Sequence, residues 1–298
     1  MIAVNISQGL ANQMFHYAFG RGLIHKGFDV VFDQTNYPPQ SPHETIKLQD
    51  VFPGIEMKLM PKGHFKYVFP LPKNRIHAMF LNYMRNFHNK KGDEVYIDET
   101  SFAYIDGIEQ QITRNCIFRG NWQSEKYFSH CKDDIKKQFT FLPLDEERNI
   151  NIAKKMQMEN SVAIHLRKGK DYLNNIYFGK GLCPVEYYIS AIDYIKSHIT
   201  SPTFYVFTDN PSWVQENLPN FGYTLINWNN VTGTRSFRDM QLMTFAKHNI
   251  ICNSTYSWWG AWLNPNKDKI VIAPKKWVHP IHEYFRSTDI ICDNWVRI

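Results

Sequence analysis

A chain of 298 residues has room for two domains at the usual size of roughly 150 residues each. With 43% hydrophobic, 15% aromatic and 21% charged residues and only 15 Gly and 15 Pro, it falls outside the disordered, collagen-like and low-complexity classes. Its 34 Lys and Arg against 28 Asp and Glu give a net charge of +6, which favours an anionic ligand but falls short of a nucleic-acid coat.

The chain opens on an apolar run, Ile2 to Ile6, then a polar turn Ser7-Gln8-Gly9, a helical stretch over 13–26, Gly27 as its stop, and Asp29-Val-Val-Phe-Asp33. Strand, helix and strand in that order predict a βαβ unit with two parallel neighbours. Residues 36–87 lose all period and gather Pro38, Pro39, Pro42, Pro53, Pro61, Pro70 and Pro72 among aromatics, which favours long connections and short helices. A domain boundary is expected within 142–155, dividing the chain into 1–155 and 156–298. Beyond Asn160 apolar runs recur at 162–166, 203–207, 223–226, 250–252 and 270–273. Helical stretches lie between them: 184–198, with Val185, Tyr188, Ile189, Ile192 and Ile195 on one face, and 236–247, with Ser236 and Asp239 as a capping box. Alternation of this kind predicts a doubly wound, mostly parallel sheet.

Five cysteines (Cys116, Cys131, Cys183, Cys252, Cys292) are odd in number and contain no C-x-x-C pair, so they are expected as reduced, buried thiols. No apolar window reaches the roughly 18 residues of a membrane span and no charged leader precedes an apolar stretch. The expectation is a cytoplasmic protein with at most peripheral membrane association.

Ligands of such sheets bind beyond the carboxyl ends of the strands, and those ends carry the chemistry here. After 162–166 come Arg167, Lys168, Gly169, Lys170 and Asp171, with His165 inside the run; after 203–207 comes Thr208-Asp209-Asn210; after 250–252 comes Asn253-Ser254-Thr255-Tyr256-Ser257. Arg167 can fork onto phosphate oxygens and Lys168 adds a point charge, while Asn253, Ser254, Thr255 and Ser257 open a helix whose N–H groups and hydroxyls suit a diphosphate. Asp209 matches the N1 and N2 donors of a guanine edge, or else caps the helix ahead of Pro211. The first turn is not a G-x-G-x-x-G fingerprint, yet Gly9, Asn12 and Gln13 place neutral donors where a second domain could close over the phosphates. Trp258, Trp259 and Trp262 share a helical face and read as core, and His279-Pro-Ile-His282-Glu283 matches no zinc-protease order.

The run Gly9-Leu-Ala-Asn-Gln-Met-Phe15, the His-x-Arg segment at His165, Phe-Thr-Asp at Asp209, Asp239-x-x-Leu-Met, and His248-Asn-Ile-Ile-Cys-Asn-Ser-Thr-Tyr-Ser-Trp-Trp-Gly-Ala-Trp-Leu-Asn264 together resemble the bacterial α-1,2-fucosyltransferases of glycosyltransferase family 11. The motifs appear in family order. Three departures stand out: Ala11 replaces a second Gly, Lys168 replaces the second Arg of H-x-R-R-x-D, and Lys170 is inserted before Asp171. The resemblance implies a GT-B-like α/β fold of two Rossmann-like domains, the donor site on the C-terminal one and in the interdomain cleft. It implies metal-independent, inverting transfer of L-fucose from GDP-fucose to a galactose-bearing oligosaccharide or lipid-linked glycan, with no cofactor and no metal ligands. Arg167, Lys168 and the helix start would neutralise the leaving GDP, and Asp171, ahead of Asp33, is the favoured base. The competing readings are a non-catalytic glycan- or nucleotide-binding protein on the same fold and, from the charge, a nucleic-acid binder. The latter lacks the aromatic-and-basic interleaving of the common RNA modules.

Overall fold

The computed structural model describes residues 1–34, 46–61, 75–91, 94–99, 101–175, 182–279 and 287–298. Much of the Pro-rich 36–87 segment and of the His279–Glu283 stretch therefore lies outside the described residues. The chain divides into two units, Met1–Thr140 and Phe141–Ile298. All five cysteines are free and buried. Among the described residues no helix is long and apolar enough to cross a membrane.

In the first unit the opening run forms β1 (Ile2–Asn5), followed by α1 (Leu10–His25) and β2 (Val30–Asp33). The two strands pair in parallel from Ile2 opposite Val30 to Asn5 opposite Asp33, the crossover read from the sequence. Next come α2 (Leu48–Val51), the 17-residue α3 (Arg75–Lys91), β3 (Glu94–Asp98), β4 (Asn115–Arg119) and α4 (Lys132–Gln138). Neither the long α3 nor the pair β3 and β4 was legible beforehand. The sheet order is β2-β1-β4-β3, parallel throughout.

Helix α1 is buried nearly all round, through Met14, Phe15, Tyr17, Ala18, Phe19 and Leu23, because it lies between the sheet and the loops that follow β4. Phe19 stacks on Trp122 at 4.4 Å. Gly22 lets the loop carrying Tyr127 approach, since a Cβ there would stand 2.3 Å from the Tyr127 carbonyl oxygen.

In the second unit α5 (Glu147–Met158) precedes β5 (Ser161–Leu166), α6 (Lys170–Leu173), α7 (Val185–His198), β6 (Thr203–Thr208) and α8 (Pro211–Asn217). Then follow β7 (Tyr223–Ile226), α9 (Arg238–Met243), β8 (His248–Ile250), α10 (Thr255–Trp262), β9 (Val271–Ala273) and β10 (Val296–Arg297). Helix α5, which the expected boundary at residue 155 would cut, belongs whole to this unit and packs on β5.

The six strands run β10-β9-β8-β5-β6-β7, all parallel. Val162, Ile164 and Leu166 of β5 and Phe204 and Val206 of β6 pack against Tyr188, Ile192 and Ile195 of α7. Tyr187 and Ala191 complete that buried face and Val185 packs against it partly buried, while Ile189, the fifth expected position, is exposed. The Ser236–Asp239 capping box does not form: α9 starts two residues later, Phe237 is its N-cap, and no side chain caps it. Trp258, Trp259 and Trp262 are buried, and Trp258 Nε1 donates to the Ile290 carbonyl at 2.7 Å.

Candidate functional site

The strand order of the second unit reverses between β5 and β8: the chain runs outward through β6 and β7 on one side, then returns to lay down β8, β9 and β10 on the other. That is a topological switch point, and the crevice at the carboxyl ends of its two strands is where open parallel sheets take ligands. Ile164 pairs with Ile250, so the residues that follow β5 and those that follow β8 emerge side by side. His165, Arg167, Ser254 and Thr255 are brought to one edge in this way.

The loop after β5 is pinned from the neighbouring strand. Asp209, just past β6, accepts with Oδ1 from the backbone N–H of Lys168 at 2.6 Å and of Gly169 at 2.9 Å. Asn210 donates to the Lys168 carbonyl at 2.9 Å and caps α8 by accepting from Trp213 N–H at 3.2 Å. Arg167 therefore leaves the sheet at a fixed point. Its guanidinium side chain is 30% exposed, 3.9 Å from Asp209 Oδ2, and its Cζ lies 5.6 Å from the centre of the Tyr172 ring.

His165 is buried at the end of β5, its Nδ1 3.3 Å from Cys252 Sγ and its ring centre 5.6 Å from that of Tyr256. Burial, with the Arg167 charge second, takes its pKa down to about 3, so it is a neutral imidazole at physiological pH. Helix α10 begins beside it. Ser254 is the extended N-cap and makes no side-chain cap bond, and the first intrahelical bond runs from Trp258 N–H to the Ser254 carbonyl at 3.0 Å. The amides of Thr255, Tyr256 and Ser257 thus precede any intrahelical acceptor and carry the positive end of the helix dipole.

Several expected ligands have other work. The Lys168 ammonium, expected at the phosphate, is buried, donates to the Cys183 carbonyl at 2.9 Å and lies 4.7 Å from the Trp213 ring centre; burial pulls its pKa down. Asp209, expected on a guanine edge or as a helix cap, spends Oδ1 on the Arg167 loop, and Asn210 is the cap. Asn253 is buried: its amide donates to the Trp277 carbonyl at 2.9 Å, and its oxygen accepts from the Tyr172 hydroxyl and lies 3.3 Å from Cys183 Sγ. The Ser257 hydroxyl turns back to the carbonyls of Ser254 and Cys252, at 3.2 and 3.4 Å. Asp171 lies within α6, with its side chain outside the described residues.

In the first unit a second switch point falls between β1 and β4. Gly9 is the N-cap of α1, its carbonyl accepting from the N–H groups of Asn12 and Gln13 at 3.0 and 3.1 Å. The Asn12 amide donates to Gln8 Oε1 at 2.5 Å and its oxygen accepts from Gln123 Nε2 at 2.9 Å, while Gln8 Nε2 donates to Asn121 Oδ1 at 3.0 Å. Gln13 is buried, donating to the carbonyls of Gln8 and Ile46, both at 2.9 Å, so it braces the turn. Asp33 is buried at the end of β2, 3.5 Å from Asn5 Nδ2. Two non-glycine residues on this rim adopt positive φ, Gln8 at 68° and Trp122 at 50°, strain of the kind that concentrates at functional sites.

One carboxyl group escaped the sequence reading. Glu99, just past β3, accepts with Oε2 from the N–H groups of Asn121 at 2.6 Å and Trp122 at 3.2 Å, yet burial outweighs these bonds and raises its pKa to about 7. The approach requires Gly120, where a Cβ would meet Glu99 Cβ at 2.3 Å. Asp239, in the first turn of α9, accepts from Asn229 Nδ2 at 2.7 Å and is likewise raised by burial to about 7. The sequence marks it as half of the Ser236 capping box and as part of the Asp-x-x-Leu-Met motif, but not as a titrating group. Among the described residues no group of three or more His, Cys, Asp or Glu is placed to hold a metal ion.

Two parallel sheets, each with a switch-point rim and the second with an arginine beside a helix N-terminus, define the GT-B architecture of sugar-transferring enzymes. The fold matches that of NodZ α-1,6-fucosyltransferase co-crystallised with GDP at a TM-score of 0.50, over 87% of this chain and 90% of that one with 12% identity. It matches an Arabidopsis thaliana FUT1 mutant in complex with GDP at the same TM-score, over 94% of this chain and 72% of that one, also with 12% identity. Glycosyl transferase family 11 matches residues 56–298, and the chain belongs to that family. Its relatives include an α-1,2-colitosyltransferase of Escherichia coli, 30% identical over 100% of this chain and 99% of that protein. The O-antigen biosynthesis glycosyltransferase WbnK of Escherichia coli is 38% identical over 98% of this chain and 99% of that protein.

Proposed function

We propose that the protein transfers L-fucose from GDP-fucose to the 2-hydroxyl of a terminal galactose on an oligosaccharide or lipid-linked glycan, with inversion and without a metal ion. The observation that carries this reading is the β5–β8 switch point, where a partly exposed, loop-clamped Arg167 stands beside the free-amide start of α10. As the sugar–phosphate bond breaks, its electron pair passes to the β-phosphate of GDP. Arg167 and the amides of Thr255 and Tyr256 offset that charge, work that a divalent cation performs in other transferases. The acceptor hydroxyl attacks the opposite face of the anomeric carbon and yields its proton to a carboxylate, for which Asp171 is the first candidate and Asp33 the second.

The relative named for O-antigen biosynthesis supports a bacterial surface glycan as the acceptor and the cytoplasm as the site of action. The full-length likeness to an α-1,2-colitosyltransferase supports a second donor reading, colitose in place of fucose. The test is transfer from GDP-fucose to lactose by the purified chain, with and without EDTA. Fucosyl-lactose formed equally in both supports the proposal. Loss of product in EDTA would remove the metal-free step, transfer only from another nucleotide sugar would remove fucose, and GDP binding with no transfer to any acceptor would favour a binding protein.

A further inference from the structure

Helix α3 turns its apolar side to water. Ile76 is 80% exposed, Met79 68%, Phe80 57% and Tyr83 68%, with Phe87 also exposed, while Leu81 on the other side is buried. Positions 76, 79, 80, 83 and 87 follow the three-and-four spacing of a single helical stripe. A contiguous apolar stripe of this size is rare on a protein that works only in water. The surrounding sequence says what covers it. Residues 57–92 contain Lys58, Lys62, Lys66, Lys73, Arg75, Arg85, Lys90 and Lys91 and not one Asp or Glu; the rest of the chain, with the remaining 26 basic and all 28 acidic residues, is net negative. Helix α3 itself carries Arg75, Arg85, Lys90 and Lys91 and no acidic residue, so the net positive charge of the sequence falls on the stretch that holds this apolar stripe.

We infer that α3 lies flat on an anionic lipid surface, with Ile76, Met79, Phe80 and Tyr83 sunk among the acyl chains, drawn there by the net positive charge of its stretch of sequence. A basic segment with a protruding apolar and aromatic stripe is the pattern of an interfacial helix. A second copy of the chain is disfavoured as the occupant, because a two-fold contact would set these like charges against each other. A polynucleotide would leave the Ile, Met and Phe side chains wet. The inference deepens the proposed function, since a lipid-linked acceptor is presented at such a surface. It rests on that reading only for its purpose: lipid binding is measured without donor or acceptor, so either can fail alone.

The test is flotation of the full-length protein with vesicles of phosphatidylcholine alone or mixed with phosphatidylglycerol. Binding is expected to the anionic vesicles and to weaken as salt is raised. Lys90→Gln with Lys91→Gln should lower the partition constant by about thirtyfold. The variant combining Ile76→Ser, Met79→Ser and Phe80→Ser should lower it by at least about tenfold, with an unchanged melting temperature and unchanged transfer to a soluble acceptor. Absence of binding to anionic vesicles would overturn the inference, as would a triple-serine variant that binds like the wild type. A wild-type dimer that ignores vesicles and that the triple variant converts to monomer would assign the face to a second copy instead.

Discussion

Asp209→Ala separates a carboxylate that reads a base from one that holds a loop. The substitution removes the acceptor of two amide bonds, at 2.6 and 2.9 Å, each of the charged class that contributes about 1.5–3 kcal/mol. The Asp209 side chain is 18% exposed, so water reaches the abandoned amides and the lower figure applies, about 3 kcal/mol for the pair. The Arg167 pair at 3.9 Å is partly exposed and adds less than about 1 kcal/mol. Freed from its clamp, the loop no longer fixes Arg167 where the proposed phosphate site needs it. GDP and inorganic pyrophosphate should then both bind about tenfold or more weakly, while guanosine, which has no phosphate, binds as before. Asp209→Asn keeps an oxygen for both amides and should cost less than about threefold. Titration calorimetry with the three ligands decides the matter. Weaker guanosine binding with unchanged pyrophosphate binding would refute the clamp and return Asp209 to a guanine edge.

Arg167→Ala should lower turnover by about two to three orders of magnitude, the scale for removing one transition-state charge stabiliser; a loss of about tenfold or less with intact folding would place the phosphate elsewhere. Lys168→Met should leave the GDP dissociation constant within about threefold, because the ammonium serves the Cys183 carbonyl, whereas a phosphate ligand would cost tenfold or more. Glu99 gives a pH signature. Its folded-state pKa, raised from 4.5 to about 7, means that the folded protein keeps a proton that the unfolded chain releases. Its stabilising contribution is whole below about pH 4.5 and is lost as the pH rises through about 7. Glu99→Gln, which still accepts from Asn121 and Trp122, should exceed the wild type by about 3 kcal/mol in urea unfolding at pH 8 and nearly match it near pH 4.5. The same difference at both pH values would mean that the group does not titrate in this range.

The strands at 162–166 and 203–207 were legible because buried parallel strands read as apolar runs, and the residues at their carboxyl ends followed from topology alone. What stayed hidden is the direction in which a side chain turns. A lysine after a strand looks like a phosphate ligand in sequence, but Lys168 turns inward to a carbonyl contributed by Cys183, fifteen residues on. Asp209 looks like a reader of ligand, and its partners are amides of the loop that follows the neighbouring strand. Glu99 could not be found because its environment is assembled from Gly120, Asn121 and Trp122, two strands of one sheet brought together only by folding. The capping box at Ser236 failed because the Ser236 carbonyl is taken by the Tyr256 hydroxyl at 2.7 Å, a contact with no local signal.

The most direct test of the account is a linkage-resolved transfer assay with GDP-fucose and a galactose-terminated acceptor, run on the wild type and on Arg167→Ala. The wild type should give an α-1,2-fucosylated product in the presence of EDTA, and the variant a rate about a hundredfold or more lower. No product from GDP-fucose, or equal rates from the two proteins, would contradict it.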